Sequence, residues 1–441
     1  MANIYNYLNH AFHEIKSVTR SNPAFIFFLL VFLTIPLGYA VNGVAVALFT
    51  AVSLITFKKT NFLWQWDLCI PMLLYLLMAA SFFWSHDTEA TLRATTKVLP
   101  LFVLPLVFMI NPLFSETEKH LILKYYSFGI VLFTVFYLIQ AVVRYMMTAD
   151  TGVFFYHGLV TKDVNAIHVS IFVTVAFFYF FIKPVKSFWD NIAMLILAIF
   201  IVLLSSKNIL IVLFLLILFY ELFYFKATQK IKLIFVLILA VLSMTILYSS
   251  QIRDRFLEEF RSNPKEGTIN HDFTGGVVHN VSIQQAWSKE TFQPSDYFAS
   301  IAFRVYQIRI FNEMLQEDPI LFTGYGLNAT DFKIEEKGIQ HNIFLGDAQN
   351  EGYQKKNFHN QYIQIFAEVG IFGLMLLLML VFLNLRNAFK TKHFIHICFA
   401  ILMISLFLTE SFLARQRGVV FFSAMYCLFN SGVAIQSFKK K

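Results

Sequence analysis

The sequence of 441 residues has few charged residues, few glycines and prolines, and only three cysteines. Asp, Glu, Lys and Arg make up 14% of the chain, whereas soluble globular domains contain about 25%. This deficit excludes a soluble enzyme, a disordered tail and a fibre. The 17 Gly and 10 Pro are too few for a membrane β-barrel, which needs frequent turns. Cys69, Cys398 and Cys427 lie inside apolar runs, so no disulfide framework is predicted.

Apolar side chains are present in excess: they form 58% of the chain and include 53 Phe. The mean hydropathy is +0.63. Because a bilayer crossing needs about 17 to 25 mostly apolar residues, the sequence predicts an all-α polytopic membrane protein with about twelve transmembrane helices. The predicted spans are 24–41, 43–57, 67–85, 98–114, 122–146, 164–182, 191–206, 208–224, 233–249, 361–383, 394–412 and 418–436.

The basic residues predict the orientation of these spans. Every segment on the side of the N-terminus carries Lys or Arg, and the short loops on the opposite side are poorer in both. The positive-inside rule therefore places both termini in the cytoplasm. The first apolar run follows Lys16 and Arg20 and lacks a small-residue cleavage site, so we expect it to remain as an anchor. The net charge of +8 mainly reflects this topology, and no nucleic-acid partner is expected.

One long hydrophilic stretch falls on the opposite side of the membrane. The predicted organisation is a nine-helix membrane region at 1–249, a mainly helical periplasmic domain at 250–360 between helices 9 and 10, and a three-helix membrane region at 361–441. Disordered segments are depleted in aromatic residues. The aromatic residues of 250–360 therefore indicate a segment that packs on itself or on the membrane.

A motif stands at the start of the predicted tenth span. His359 and Asn360 are followed by nine residues, Gly370, two residues and Gly373. This pattern resembles the signature of the bacterial O-antigen ligase and O-antigen polymerase superfamily. Weaker resemblances lie in Ser81-Phe82-Phe83-Trp84-Ser85-His86-Asp87 and in Arg304 followed by Asp318-Pro319 and Gly324-Tyr325-Gly326.

The resemblance implies a membrane glycosyltransferase of the bacterial inner membrane with its active site on the periplasmic face. Such enzymes take a glycan from an undecaprenyl-diphosphate carrier, and a hydroxyl displaces the lipid diphosphate with inversion expected. In ligases the acceptor is a sugar of the lipid A core; in polymerases it is another carrier-linked unit; in a third variant it is a protein hydroxyl. The motif does not separate these, and no cofactor is implied.

His359 is the candidate for activating or positioning the acceptor hydroxyl. Histidine has an ordinary pKa of about 6.5 and can accept a proton near neutral pH. The alternative is a histidine that caps or packs at a helix start. Asn360, Gly370 and Gly373 complete the motif. On a continuous helix the two glycines would form a notch on the face below His359, giving either room for a polyprenyl tail or close packing.

Four cations are candidates for binding the diphosphate. Arg304 stands at the family position for such a residue, with a surface Arg as the alternative. Lys207 replaces the usual family Arg and supplies charge without the planar fork. Arg415 and Arg417 lie in a short external loop, where the positive-inside rule disfavours cations. Their alternatives are a salt bridge with Glu410 or contact with anionic lipid headgroups.

Metal use is not predicted, because the loops contain no Asp-x-Asp pair, and His271, Asp272 and His279 lack a ligand spacing. A Gly-rich phosphate loop is also absent from the sequence. A twelve-span secondary transporter is the alternative from another class. The lack of an internal repeat and the clustering of candidate cations at the external face favour the transferase.

Overall fold

The computed structural model of the protein describes residues 2–111, 114–161, 164–225, 279–347 and 351–433. The predicted span 233–249, together with His271 and Asp272, lies outside these residues. The described α-helices are α1 (Ala2–Ser21), α2 (Ala24–Thr34), α3 (Tyr39–Ile55), α4 (Trp66–Ala80), α5 (Thr88–Val98), α6 (Pro100–Ile110), α7 (Glu116–Thr148), α8 (Ala166–Phe181), α9 (Phe188–Leu204), α10 (Lys207–Phe223), α11 (Ile283–Ser288), α12 (Ser300–Glu317), α13 (Asp331–Gln340), α14 (Gln361–Thr391), α15 (Phe394–Phe407) and α16 (Gln416–Asn430).

The apolar helices confirm an all-α architecture of the membrane type. Four helical stretches are long and apolar enough to cross a bilayer, namely Trp66–Trp84, Thr88–Ile110, Glu116–Thr148 and Gln361–Thr391. Five shorter apolar helices accompany them: α2, α3, α8, α9 and α15. The number of twelve spans stays a prediction.

Several helices begin or end at residues that the apolar runs do not mark. A capping box formed by Ser115 and Glu118 starts α7 before the predicted residue 122. The predicted first span, 24–41, is interrupted after Thr34, because Pro36 and Gly38 stand in the turn before α3. α15 ends at Phe407 rather than at residue 412. The turn 408–415 between α15 and α16 therefore lies beyond the helix.

The helices pack into one large apolar cluster that contains α2 to α10 and α14 to α16. α14 packs against α4 and α15, and α16 packs against α6. A second cluster lies at the N-terminal end of α14. Its aromatic members include Phe292, Phe298, Tyr306, Phe311 and Phe358. The aromatic residues of the hydrophilic stretch thus pack on one another and on the start of α14.

A short parallel pairing accompanies the helices of this second cluster. Strands β1 (His279–Val281) and β2 (Asp296–Phe298) form a two-stranded sheet with Val281 opposite Phe298. The described part of the stretch predicted as periplasmic therefore contains the helices α11, α12 and α13 and this one small sheet.

α14 is interrupted after its first two turns. Val369 and Gly370 leave helical geometry, with Gly370 at φ +72° and ψ −170°. The backbone groups freed by the break pair with the loop 320–326. Tyr325 N–H donates to Ala367 O, Gly326 N–H to Glu368 O and Ile371 N–H to Leu321 O, each at 2.8 Å. Because backbone groups at membrane depth need partners, this loop makes the break tolerable.

The space beside each of the two motif glycines is filled by the protein's own atoms. A Cβ added at Gly370 would lie 2.2 Å from Phe322 O, and one added at Gly373 would lie 2.2 Å from Val369 Cγ2. The notch expected on a continuous helix is thus filled by the loop 320–326 and by the preceding turn of α14. The predicted position of this notch on the helix face below His359 was wrong, because α14 is broken at residue 370 and His359 precedes the helix.

Replacement of Gly370 by alanine should destabilise the protein. A side chain there forces a positive φ on a non-glycine residue and collides with backbone, at a cost of about 1 to 3 kcal/mol or more. Thermal unfolding of the purified protein in detergent measures the effect. Gly43→Ala on α3 is the matched control, since its Cβ would make an ordinary contact of 3.6 Å with Gln416 Nε2. Equal melting temperatures for the two variants would contradict the expectation.

Candidate functional site

The backbone of His359 has a left-handed conformation just before α14. Its φ is +46°, uncommon for a residue other than glycine. Asn357 Oδ1 accepts a hydrogen bond from His359 N–H at 3.0 Å. Asn360 then caps the helix, because its Oδ1 accepts from the N–H groups of Tyr362 and Ile363 at 3.0 and 3.2 Å. Asparagine side chains on both sides of His359 thus hold it in this conformation.

The turn 408–415 lies against this start of α14. Three side chains of α14 and its cap hydrogen-bond to the turn. Asn360 Nδ2 donates to Leu408 O at 3.3 Å, Leu413 N–H donates to Gln361 Oε1 at 2.6 Å, and Ser411 Oγ donates to Gln364 Oε1 at 3.3 Å. The position of the turn relative to His359 is therefore fixed by polar contacts spread over its length.

Glu410, at the centre of this turn, faces His359. Its Oε2 lies 3.4 Å from His359 Nδ1, within ion-pair distance and long for a hydrogen bond. Glu410 is 3% exposed. Burial raises the pKa of the carboxyl, but the hydrogen bond and charge of His359 and the charges of His168 and Arg304 lower it by more. The net pKa of Glu410 lies below its ordinary value, so the carboxylate is ionised at neutral pH.

Arg304 on α12 contacts the same turn. Its Nε and Nη2 donate to Thr409 O at 3.1 and 2.9 Å, and its Nη1 donates to the carbonyl and hydroxyl of Ser300. The Arg304 guanidinium thereby holds Thr409, the residue before Glu410. The neighbouring ring of Phe303 lies edge-on to the His359 ring, with centroids 5.9 Å apart. Arg304 and His359, which are far apart in sequence, thus meet at residues 409–410.

Lys207 begins α10 beside this turn. The adjacent Asn208 donates from Nδ2 to Ser405 O at 2.9 Å and to Thr409 Oγ1 at 2.8 Å, and Ser405 Oγ donates to Asn208 Oδ1 at 2.6 Å. The start of α10 is consequently tied to the residue whose carbonyl binds Arg304.

Arg415 and Arg417 line a cavity of about 530 Å³ at the end of the turn. Arg417 is 5% exposed, donates from Nε and Nη2 to Leu37 O at 3.1 and 2.8 Å, and lies over the Tyr39 ring at 4.5 Å. Arg415 is exposed, and among the described residues it forms no ion pair. The cavity therefore presents one fixed cation and one exposed cation. Glu410, considered from the sequence as a partner of these arginines, faces His359 instead.

The loop between α7 and α8 forms the other side of the site. His157 lines the cavity together with the two arginines. Burial and the charge of Glu410 raise the pKa of the adjacent Tyr156, and the charge of Arg304 opposes them. Sequence reasoning did not find this loop, because a lone Tyr-His pair carries no spacing signal. It also did not pair Glu410 with His359, although a carboxylate ending an apolar run marks a group in need of a partner.

Among the described residues, no group of three or more His, Cys, Asp or Glu side chains is placed to hold a metal ion. Metal independence stays a prediction from the sequence.

Comparison with protein families found a match that begins in α9 and ends in α14. Residues 192–378 match the family model described as O-antigen ligase. This part of the chain is similar to the O-antigen ligase family, which supports the superfamily resemblance of the sequence. The match contains Lys207, Arg304, His359, Gly370 and Gly373, whereas the turn 408–415 lies beyond it. No curated protein matches the chain.

The match supports a broad description of the protein as a membrane glycosyltransferase of the O-antigen ligase or polymerase type. The family implies lipid-linked glycan substrates. Together with the apolar helices, the family indicates a bacterial integral membrane protein.

Replacement of Glu410 by glutamine should reduce the stability of the protein at neutral pH. It should also make the stability less sensitive to a fall in pH. A carboxyl whose pKa is lower in the folded than in the unfolded state stabilises the fold at every pH above its unfolded-state pKa. This stabilisation is lost as the pH falls through the folded-state pKa. We expect a loss of about 1 to 3 kcal/mol near pH 7.

Melting temperatures of the wild type and Glu410→Gln, measured from about pH 7 down to about pH 3.5, test this expectation. The difference between them should narrow as the pH falls. Glu89→Gln is the control, since the exposed pair of Glu89 with Arg93 contributes little at a surface. A difference that is constant over the whole range would refute the assignment of an ionised Glu410.

Proposed function

We propose that the protein is an O-antigen ligase-like glycosyltransferase. It transfers a glycan from undecaprenyl diphosphate to a hydroxyl of the lipid A core, in lipopolysaccharide or surface polysaccharide biosynthesis. One observation carries the proposal: the turn 408–415 brings the His359–Glu410 pair and the arginine-lined cavity together next to a segment matched by the O-antigen ligase family.

His359 is proposed to accept the proton of the acceptor hydroxyl. With Nδ1 directed at the Glu410 carboxylate, the neutral imidazole carries its hydrogen on Nδ1 and its lone pair on Nε2. The acceptor oxygen forms a bond to the anomeric carbon, the bond from that carbon to the diphosphate oxygen breaks, and the hydroxyl proton moves to Nε2. The Glu410 carboxylate then stabilises the imidazolium. This displacement inverts the anomeric carbon.

The cations of the site are proposed to bind the diphosphate. Arg415 and Arg417 face the cavity, and guanidinium groups bind phosphate oxygens through paired hydrogen bonds. Fixed cations also stabilise the charge that develops on a departing diphosphate. Arg304 and Lys207 stand at the edge of the same turn, where Arg304 also holds Thr409 and hence Glu410 in place.

The proposed location is the bacterial inner membrane, with both termini cytoplasmic and the site on the periplasmic face. The site gathers at the start of α14, the end of α15 and the start of α16. The opposite end of α14 carries Arg386 and Lys390, in agreement with the positive-inside rule.

Two substitutions test the site directly. His359→Ala and Arg304→Ala should each reduce glycan transfer at least about a hundredfold, because one loses the proton acceptor and the other a fixed cation and the support of Glu410. Lys207→Arg should keep activity, since it restores the usual family residue. Transfer is measured with purified protein, a carrier-linked glycan and core lipid, and the membrane content of each variant is checked by immunoblot.

Matched controls are available for both substitutions. Arg309 lies on α12 with Arg304 but pairs with Glu313 at 2.8 Å, and His13 is exposed on α1. Arg309→Ala and His13→Ala should therefore retain transfer. Full activity of Arg304→Ala would remove Arg304 from the site. Solute movement by His359→Ala with unimpaired glycan transfer would instead favour the transporter.

The choice between ligase and polymerase depends on the acceptor. The same assay with either core lipid or a second carrier-linked unit separates the two reactions. We expect glycan on the core lipid. If the core lipid stays unmodified while longer carrier-linked chains appear, the protein is a Wzy-type polymerase; glycan found only on protein hydroxyls would make it a protein O-oligosaccharyltransferase.

A further inference from the structure

His157, which lines the cavity together with the arginines, belongs to a tightly built turn between α7 and α8. Asp150 Oδ1 accepts from Gly152 N–H at 2.8 Å, and Gly152 O accepts from Phe155 N–H at 3.1 Å. Leu159 N–H donates to Tyr156 O at 3.2 Å, and Leu159 is fully buried. These contacts give the turn one definite conformation before any ligand binds.

The position of His157 within this turn is narrowly specified on both sides. Tyr156 has a φ of +48°, a left-handed conformation that is unfavourable for a residue with a side chain. A Cβ at Gly158 would lie 2.3 Å from Gly152 O, so only glycine fits directly after His157. The chain thus tolerates backbone strain at Tyr156, before His157, and needs glycine at position 158, after it. The result is an exposed imidazole at the cavity wall.

Charged groups from several elements face this imidazole. Arg415, Arg417 and Tyr39 line the cavity with it, and the Tyr156 ring lies against the His157 ring with centroids 4.1 Å apart. His157 is exposed but partly surrounded by protein atoms, and this partial burial lowers its pKa. The charge of Glu410 opposes this effect and the charges of Arg415 and Lys356 add to it, so the net pKa lies below its ordinary value. Without a ligand His157 is therefore mainly neutral at pH 7.

We propose that His157 is a further diphosphate-binding residue of this cavity, which takes up a proton when a polyprenyl diphosphate binds and donates an N–H hydrogen bond to it. This inference rests on the proposed function. The bound anion supplies negative charge opposite Arg415 and Arg417 and so favours the imidazolium. The proton comes from solvent and adds to the free ring nitrogen, and no other bond changes. The cavity thereby gains a third cation only when it is filled.

Binding of farnesyl diphosphate, a short soluble polyprenyl diphosphate, tests the inference without the transfer reaction. Isothermal titration calorimetry of the purified full chain, in two buffers of different ionisation enthalpy, gives both the affinity and the number of protons taken up. The wild type should take up a proton fraction near pH 7 that His157→Gln does not. His157→Gln should bind about tenfold or more weakly near pH 6, because a charge-assisted hydrogen bond is lost, and near pH 8 the loss should be smaller.

A second variant separates charge from structure. His157→Lys carries a permanent cation, so it should bind at least as tightly as the wild type near pH 8 without taking up a proton. Arg415→Ala should lose affinity at every pH, because arginine does not titrate in this range.

The outcomes distinguish this inference from the proposed function. If the wild type does not bind farnesyl diphosphate, the diphosphate cavity itself is refuted. If the wild type binds and Arg415→Ala does not, but His157→Gln keeps the affinity and proton uptake of the wild type, only the role of His157 is refuted. Equal losses for His157→Gln at pH 6 and pH 8 with unchanged proton uptake would also overturn it.

Discussion

The site depends on the polar contact between the start of α14 and the turn 408–415. Asn360, Gln361 and Gln364 hydrogen-bond to the turn along its length, and Glu410 faces His359 at its centre. α12 and α10 reach the same turn through Arg304 and Asn208. Because buried carbonyls and amides of a non-helical turn need hydrogen-bond partners, these contacts serve both the fold and the site. One set of hydrogen bonds therefore positions the His359–Glu410 pair and the arginine-lined cavity.

The groups proposed to bind the diphosphate are partly fixed and partly adaptable. Arg417 is buried and bound to Leu37 O, so its charge is present before a substrate arrives. Arg415 and His157 are exposed at the same cavity. Preorganised charge stabilises a departing diphosphate without reorganisation during the reaction. The exposed groups can follow a substrate that enters and leaves, as a glycan on a lipid carrier must.

Sequence reasoning was most informative where a residue is unusual for its position. The spacing from His359 to Gly373 indicated the superfamily that the family model supports. Arg415 and Arg417 were singled out as cations on the disfavoured side, and their role in binding stays a prediction. It placed Gly370 on a continuous helix, because an apolar run does not reveal a break whose backbone groups are satisfied by a loop distant in sequence. It missed the partnership of Glu410 with His359, since that depends on α15 ending at Phe407. The Tyr156–His157 turn was missed because local backbone strain leaves no periodic signal.

The broken helix α14 also ties the second apolar cluster to the membrane helices. The loop 320–326 donates and accepts backbone hydrogen bonds across the break, and its tip residues Leu321 and Phe322 are 47% and 60% exposed. An exposed apolar tip at the level of an apolar helix is suited to contact with lipid. In the proposed topology, this contact would set the height of His359 relative to the bilayer. Carrier lipids of different tail length would accordingly present their reacting sugar at one common plane.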